Sequence, residues 1–119
     1  MSRRGGYTLT VRHGPDVHRE VFHELTAAVA ELERRAEQVR AEGSLEKVSM
    51  LRDFEPDQQI AARLEISTGG FLRGRDAGVD VMGDGSIVPY QGGVRRQELT
   101  PRRGRSVYET VGEALKAAG

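Results

Sequence analysis

YTLTVRHGPDVHREVF, residues 7 to 22, decides the fold class of this chain. Apolar and polar residues alternate over 7–12, which is the period of a half-buried strand. Gly14, Pro15 and Asp16 are turn residues, and the alternation resumes after them, so the stretch predicts a β-hairpin. Because the two strands of a hairpin are antiparallel, the stretch favours an antiparallel sheet.

The period of the apolar residues changes after the hairpin and indicates a helix. Apolar residues then recur every three or four positions on one face: Leu25, Ala28, Val29, Leu32, Ala36 and Val39. On the opposite face Glu31 and Arg35 form a favourable i,i+4 pair. Gly43 is placed to end this helix.

Two strands are predicted after the helix. The first covers residues 47–53 and is followed by the turn residues around Pro56. Residues 57–66 allow two interpretations, because Pro56 could also open a short helix with Ile60 and Leu64 on one side. We favour a strand, since the alternation is sustained through Ile60, Ala62, Leu64 and Ile66.

A second hairpin is predicted in VDVMGDGSIVPY, residues 79–90, with its turn at Asp84-Gly85. A two-residue turn pairs Val81 with Val88 and Val79 with Tyr90, which would place all four on one buried face. Pro89 cannot donate a ladder hydrogen bond, so this last strand should lie at a sheet edge or contain a local break.

The C-terminal stretch predicts a second helix with a capping box formed by Ser106 and Glu109. Its apolar stripe consists of Val107, Val111, Ala114 and Leu115. The elements together predict an α+β fold: an antiparallel sheet of about five or six strands with two helices packed on one face, in the order β-β-α-β-β-β-β-α. Residues 1–6 are expected to be a flexible tail and residues 7–119 a single domain.

Composition excludes several classes of function. Lys plus Arg equals Asp plus Glu at 18 each, so the net charge is zero and no overall field attracts nucleic acid or an acidic membrane. The chain has no cysteine, which excludes disulfides, thiolate nucleophiles and Cys-ligated metal sites. No apolar run follows the basic N-terminus and none is long enough to span a membrane, so we expect a cytoplasmic protein without membrane contact.

All three histidines of the chain fall within residues 13–23 and raise the question of a metal site. A turn over residues 14–17 would bring His13 opposite His18, with Cβ atoms about 5 Å apart, and Asp16 could add an oxygen ligand. His23 would point to the other side of the strand. These ligands are too few for zinc, so we expect titratable histidines at a strand end, no metal and no cofactor.

Asp76, Asp80 and Asp84 recur every four residues, but this is not the spacing of a calcium loop. Along a strand, Asp76 and Asp80 would lie about 13 Å apart, which is too far to share an ion. Asp84 is better explained as a turn residue.

Residues 67–78 are glycine-rich and contain Arg73 and Arg75, so their amides and guanidiniums could hold a phosphate. The segment lacks both the Walker pattern and the dinucleotide-binding pattern. We therefore interpret it as a connection between strands in which glycine supplies special backbone geometry.

The strongest local charge lies in VRRQELTPRRGR, residues 94–105. Its five arginines could each contact a phosphate, which makes the segment the best candidate for binding nucleic acid or a phosphate ligand: Arg95, Arg96, Arg102, Arg103 and Arg105. No aromatic residues interleave for base stacking and no nucleic-acid-binding motif is present, so we favour a solvated linker.

No nucleophile, base and orienting group can be assembled from the sequence, which favours a protein without catalytic activity. With 37% apolar residues and no Trp the core should be small, and a homodimer would bury more apolar surface. We therefore expect a small interaction or accessory module that forms a homodimer or binds a protein partner. The alternatives are the nucleic-acid or phosphate binder, and a small-molecule-binding or enzymatic domain with a pocket between sheet and helices, bordered by His13, His18 or Arg73. No family signature is recognised in these residues.

Overall fold

A computed structural model describes residues 6–50, 60–68, 75–92 and 96–118, with the side chains of residues 43–50, 117 and 118 outside the description. The elements follow in the order β1 (Tyr7–His13), β2 (Asp16–Phe22), α1 (Leu25–Met50), β3 (Ile60–Thr68), β4 (Asp76–Met82), β5 (Ile87–Gln91), β6 (Gln97–Glu98) and α2 (Val107–Ala118). The α+β class and the order of strands and helices are therefore as predicted.

Six strands form one antiparallel sheet in the order β2-β1-β3-β4-β5-β6. The first hairpin is confirmed, and Ile60–Thr68 is a strand, which decides between the two interpretations of that stretch as far as it is described. Ile60 is exposed while Ala62, Leu64 and Ile66 are buried, because an irregularity between Ile60 and Ala62 shifts the register with β4.

Both helices pack on one face of the sheet and enclose the core. The sheet contributes aliphatic side chains from β1, β3 and β4, and the helices contribute their apolar stripes: Leu9, Val11, Ala62, Leu64, Ile66, Ala77, Val79, Val81, Ala28, Leu32, Ala36, Val39, Tyr108, Val111 and Leu115. Alternation along each strand sends the remaining side chains to the opposite side. We call that side the open face, since no described helix packs on it.

Helix α1 is longer than predicted and replaces part of a predicted strand. It runs through Gly43 to Met50, so residues 47–50 are helical, and residues 51–53 lie outside the described part. A glycine inside a helix costs about 1 kcal/mol relative to alanine, which neighbouring turns can offset. The prediction that the helix ends at Gly43 is therefore wrong. The strand predicted over 47–53 is also wrong in its first four residues.

The second hairpin is confirmed, but its register differs by one residue from the prediction. Val81 pairs with Ile87 and Val79 pairs with Pro89. The loop is longer than two residues: Gly85 N donates to Met82 O at 2.9 Å, Met82 N donates to Ser86 O at 2.8 Å, and Gly85 takes a φ of 91°. A shift of one residue moves a side chain to the other face, so Tyr90 lies on the open face and not beside Val79.

The outer side of β5 is covered by β6, which pairs only with Tyr90 and Gln91. Pro89 lies at the end of this short ladder, where its carbonyl accepts a hydrogen bond from Leu99 N at 2.9 Å. A strand residue directs its N–H and C=O to the same side, so the missing N–H of Pro89 faces outward and interrupts no bond to β4.

Helix α2 begins as the sequence predicts. Glu109 N donates to Ser106 Oγ at 3.0 Å, and Ser106 N donates to Glu109 Oε1 at 2.8 Å, which is the reciprocal pair of a capping box. Val111 and Leu115 are buried, and Val107 and Ala114 are packed against the core.

Candidate functional site

A buried carboxylate on the open face organises a cluster of polar side chains. Asp80 lies in the middle of β4, and its side chain is 2% exposed. Arg63 from β3 donates two hydrogen bonds to this carboxylate, from Nε to Oδ1 at 2.8 Å and from Nη2 to Oδ2 at 3.3 Å. Arg96 donates from Nη2 to Oδ2 of the same carboxylate. Two guanidiniums therefore meet at one oxygen atom.

Both guanidiniums also lie over an aromatic ring. Arg96 Cζ is 4.4 Å and Arg63 Cζ is 5.4 Å from the ring centroid of Tyr90. These distances fall within the range of cation–π attraction. Tyr90 is 2% exposed, so the two arginines lie between its ring and solvent. The ring of Tyr90 and the carboxylate of Asp80 together restrict the orientation of both guanidiniums.

The hydroxyl of Tyr90 connects this cluster to a pair of carboxyl groups. It donates to Glu65 Oε1 at 3.0 Å. Burial, followed by the hydrogen bond with Asp76, raises the pKa of Glu65 above its usual range. Burial and the adjacent Glu65 raise the pKa of Tyr90 as well, so its hydroxyl stays a hydrogen-bond donor at neutral pH.

The strand register explains why these residues meet. Arg63 lies directly opposite Asp80, and Glu65 lies opposite Gly78, which in turn lies opposite Tyr90. Gly78 has no side chain, so the Tyr90 ring can reach across β4 to Glu65. A Cβ on Gly78 would meet the Leu64 carbonyl oxygen and come within 2.7 Å of Glu65 Cα. Gly78 is thus part of β4, and not of the connection that the sequence suggested.

Local sequence patterns do not reveal this cluster. They indicate Asp80 only as one of three spaced aspartates and predict Tyr90 on the buried face. The available signal was the pattern VDV, residues 79–81, in which a charged residue interrupts an apolar strand. A buried aspartate needs partners, and β3 supplies one from the position directly opposite.

The histidines do not form the cross-strand pair that was predicted. The turn is shorter than expected, so His13 pairs with Asp16 and His18 pairs with Val11. His13 and His18 remain on one face as diagonal neighbours, at about 7–8 Å by strand geometry. His23 is exposed beyond the end of β2. Within the described residues no three acidic or histidine side chains are close enough to hold a metal ion.

His13 and His18 border a cavity of about 200 Å³ between the first hairpin and α1, together with Asp16, Arg35, Gln38 and Glu42. Arg35 Nη2 lies 3.1 Å from His18 Nε2, and Arg35 Nε donates to Glu31 Oε2 at 2.8 Å. Because an arginine can only donate, His18 Nε2 is the acceptor in this contact. The arginine is already engaged, and the cavity is smaller than typical ligand pockets.

A wider groove of about 520 Å³ lies on the outer side of the helix layer, between α1 and α2. Its apolar floor includes Leu25, Val29 and Gly112, and its rim carries Glu33 and Lys116. It lies between the two helices, whereas the pocket considered from the sequence was expected between helices and sheet.

The described arginines of residues 95–105 have different surroundings in the structure. Arg95 lies outside the described residues, and Arg96 belongs to the Asp80 cluster. Arg102 and Arg105 both approach Glu113 of α2, at 3.5 and 3.4 Å. Arg103 is exposed in the turn before α2. Of the described arginines, Arg96 is thus bound to Asp80, whereas Arg102 and Arg105 lie together at Glu113.

The remaining sequence candidates are also placed. Arg73 and the glycines at 69, 70 and 74 lie outside the described residues. Asp76 and Asp80 share the open face of β4, four residues apart, and Asp84 accepts hydrogen bonds from Ser86 N at 2.8 Å and Ser86 Oγ at 2.6 Å in the hairpin turn. The turn role that was predicted for Asp84 is confirmed.

No family model matches the chain, and no curated protein or solved structure is significantly similar to it. Neither described helix combines the length and the apolar character that crossing a membrane requires.

Proposed function

We propose that this protein is a cytoplasmic, non-catalytic interaction module that forms a homodimer through the outer edge of β2. One observation carries the proposal. β2 is the first strand of the sheet, no described strand pairs with its outer side, and two of its valines, Val17 and Val21, are 46% and 65% exposed. An unpaired edge with exposed valines is a template for a further strand.

The first hairpin determines which backbone groups this edge offers. Its loop has two residues, Gly14 and Pro15, and the φ of Gly14 is 62°, as a type II′ turn requires. The turn hydrogen bond joins His13 to Asp16, and bonded positions then alternate along an antiparallel pair. The N–H and C=O groups of Val17, Arg19 and Val21 therefore point away from β1.

These groups match a second copy of the same strand. A twofold axis at Arg19 and perpendicular to the sheet pairs Val17 with the partner's Val21 through the outward backbone groups. The same axis places His18 opposite the partner's Glu20, so an imidazole faces a carboxylate. Apolar residues meet apolar residues and the outward backbone groups of the two strands pair with each other, which supports a second copy as the occupant of this edge.

Burial of the two exposed valines would stabilise this dimer. The Val17 and Val21 side chains lie on the open face of β2, next to Arg12 and Thr8 of β1. Pairing across the axis would place Val17 beside the partner's Val21. Each valine would then lose part of its exposed apolar surface, which stabilises the dimer by about 25 cal/mol per Å² buried. It would also satisfy backbone groups that an isolated edge leaves to solvent.

The oligomeric state, measured by size-exclusion chromatography with light scattering and by sedimentation velocity, tests this proposal. We expect a dimer at micromolar concentration that Val21→Lys converts to a monomer. Ile60→Lys is the matched control, because Ile60 is another exposed aliphatic residue, at 49%, but lies at the start of β3. A monomeric wild type at high micromolar concentration, or equal loss of dimer in both variants, would overturn the proposal.

A further inference from the structure

We propose that three arginines of the open face, Arg12, Arg63 and Arg96, form a binding site for a phosphate group. We call them the arginine triad. The proposal concerns the face of the sheet and not its edge, so it is independent of the dimer. It also differs from the arginine segment considered from the sequence, because only Arg96 is common to both.

Arg63 and Arg96 are held in place, while most of their N–H groups have no hydrogen-bond partner among the described residues. Arg63 uses two N–H groups on Asp80 and Arg96 uses one. Each of the two side chains remains 36% exposed, whereas the carboxylate beneath them is 2% exposed. Asp80 is thus a positioning residue that brings two guanidiniums together and leaves their outer edges facing solvent. Fixing the arginines in advance reduces the entropy that a ligand must overcome.

Arg12 supplies the third guanidinium. It lies on β1 directly opposite Arg63, is exposed, and has no side-chain partner among the described residues. Directly opposite residues have Cβ atoms about 5 Å apart, and like charges in that position destabilise a sheet. An anion between Arg12 and Arg63 would convert this repulsion into attraction.

The charge and shape of the triad fit a phosphate. Among the described residues the guanidiniums of the triad form direct ion pairs with one carboxylate, Asp80, while Glu65 acts on Arg63 at longer range, so the guanidiniums outnumber the carboxylate that they contact. A phosphate monoester or pyrophosphate carries about two or more negative charges near neutral pH and offers oxygens in several directions. One carboxylate, by comparison, offers only two oxygen atoms, both in one plane, and carries a single negative charge. A ligand held by all three arginines is therefore better matched by a phosphate.

Isothermal titration calorimetry with inorganic pyrophosphate as the probe tests the site, in a buffer of constant ionic strength. We expect saturable binding to the wild type and at least tenfold weaker binding to Arg12→Gln. Arg12 has no described partner, so this variant should fold as the wild type does, which circular dichroism and thermal unfolding verify. Arg12→Lys keeps the charge but not the fork, and should restore only part of the affinity.

Arg103→Gln is the matched control. Arg103 is also an exposed arginine without a described side-chain partner, but it lies in the turn before α2. We expect its affinity for pyrophosphate to stay within twofold of the wild type. Equal weakening in Arg12→Gln and Arg103→Gln would show general charge attraction and overturn the site, as would full affinity in Arg12→Gln or no saturable binding at all.

Two further titrations identify the chemistry and its source. Citrate, a carboxylate ligand of comparable charge, should bind more weakly than pyrophosphate, and tighter binding of citrate would overturn the assignment to phosphate. A short oligodeoxythymidylate presents the same phosphate chemistry in a polymer. Arg12-dependent binding of the oligonucleotide would support the site with a nucleic-acid backbone as the source, and Arg12-dependent binding of pyrophosphate alone would support it with a free phosphate ligand.

Discussion

Asp80 shows how one residue can organise a surface that the hydrophobic core does not reach. It is buried on the side of the sheet opposite the helices, where cover comes from Arg63, Arg96 and Tyr90. A buried carboxylate without partners would cost several kcal/mol, so these contacts are a condition of placing an aspartate there. The contact with Asp80 raises the pKa of Arg63, which keeps this guanidinium charged at any physiological pH.

We expect Asp80→Asn to lower the free energy of unfolding by about 2 kcal/mol, as measured by urea denaturation. Breaking a buried ion pair costs about 3–5 kcal/mol, and the smaller figure allows for the partial exposure of both arginines, which water can solvate. Glu113→Gln is the matched control, because Glu113 also approaches two arginines, Arg102 and Arg105, but is 38% exposed. Glu113→Gln should lower the free energy of unfolding by less than about 0.5 kcal/mol. Similar losses in the two variants would contradict the structural role assigned to Asp80.

At the scale of elements, local patterns predicted most of the fold because they act within a few residues. The hairpins, the capping box of α2 and the apolar stripe of α1 each follow from spacing along the chain. The end of α1 and the register of the β4–β5 hairpin do not. Whether a helix ends at Gly43 depends on whether neighbouring turns offset the roughly 1 kcal/mol that glycine costs in a helix. The pairing of β4 with β5 changes when the loop between them is one residue longer.

The polar cluster escaped prediction for a related reason. Arg63 and Arg96 lie 17 and 16 residues from Asp80 in the sequence, so no local spacing connects them. Their meeting requires the order of strands in the sheet, which fixes β3 beside β4, and the correct register of Tyr90. The sequence predicted neither, although it correctly indicated strands at the positions of β3, β4 and β5.

Gly78 tests the close approach of β4 to β3. We expect Gly78→Ala to destabilise the protein by at least about 3 kcal/mol, because its Cβ would collide with the backbone of Leu64 and Glu65, which cannot move as a side chain can. Gly112→Ala, in α2, is the comparison: its Cβ would meet Val29 Cγ2 at an ordinary 3.6 Å, so helix propensity should stabilise the protein by about 0.5–1 kcal/mol. Thermal and urea unfolding measure both. A neutral Gly78→Ala would mean that the two strands are not packed this closely.

At the scale of the whole molecule, the sheet separates three surfaces with different chemistry. The helices cover one face and complete the core, the open face carries the arginine triad, and the outer edge of β2 offers unpaired backbone. A dimer across that edge would form one continuous sheet and keep both open faces on the same side, since its axis is perpendicular to the sheet. Two triads would then lie on one surface, so a ligand with several phosphate groups could contact both copies.

The same twofold axis makes an unfavourable contact that provides a sharp test of the register. It places Arg19 opposite the partner's Arg19, and directly opposed like charges cost about 0.2–1 kcal/mol. We therefore expect Arg19→Ser to strengthen the dimer about two- to fivefold in sedimentation equilibrium, in a buffer free of phosphate. Added sodium chloride should tighten the wild-type dimer by screening this repulsion and should leave the Arg19→Ser dimer nearly unchanged. Arg12→Ser is the control, because Arg12 lies one strand inward and faces no copy of itself. A weaker dimer in Arg19→Ser would exclude an axis at this residue, whereas a tighter one would place the two strands in the proposed register.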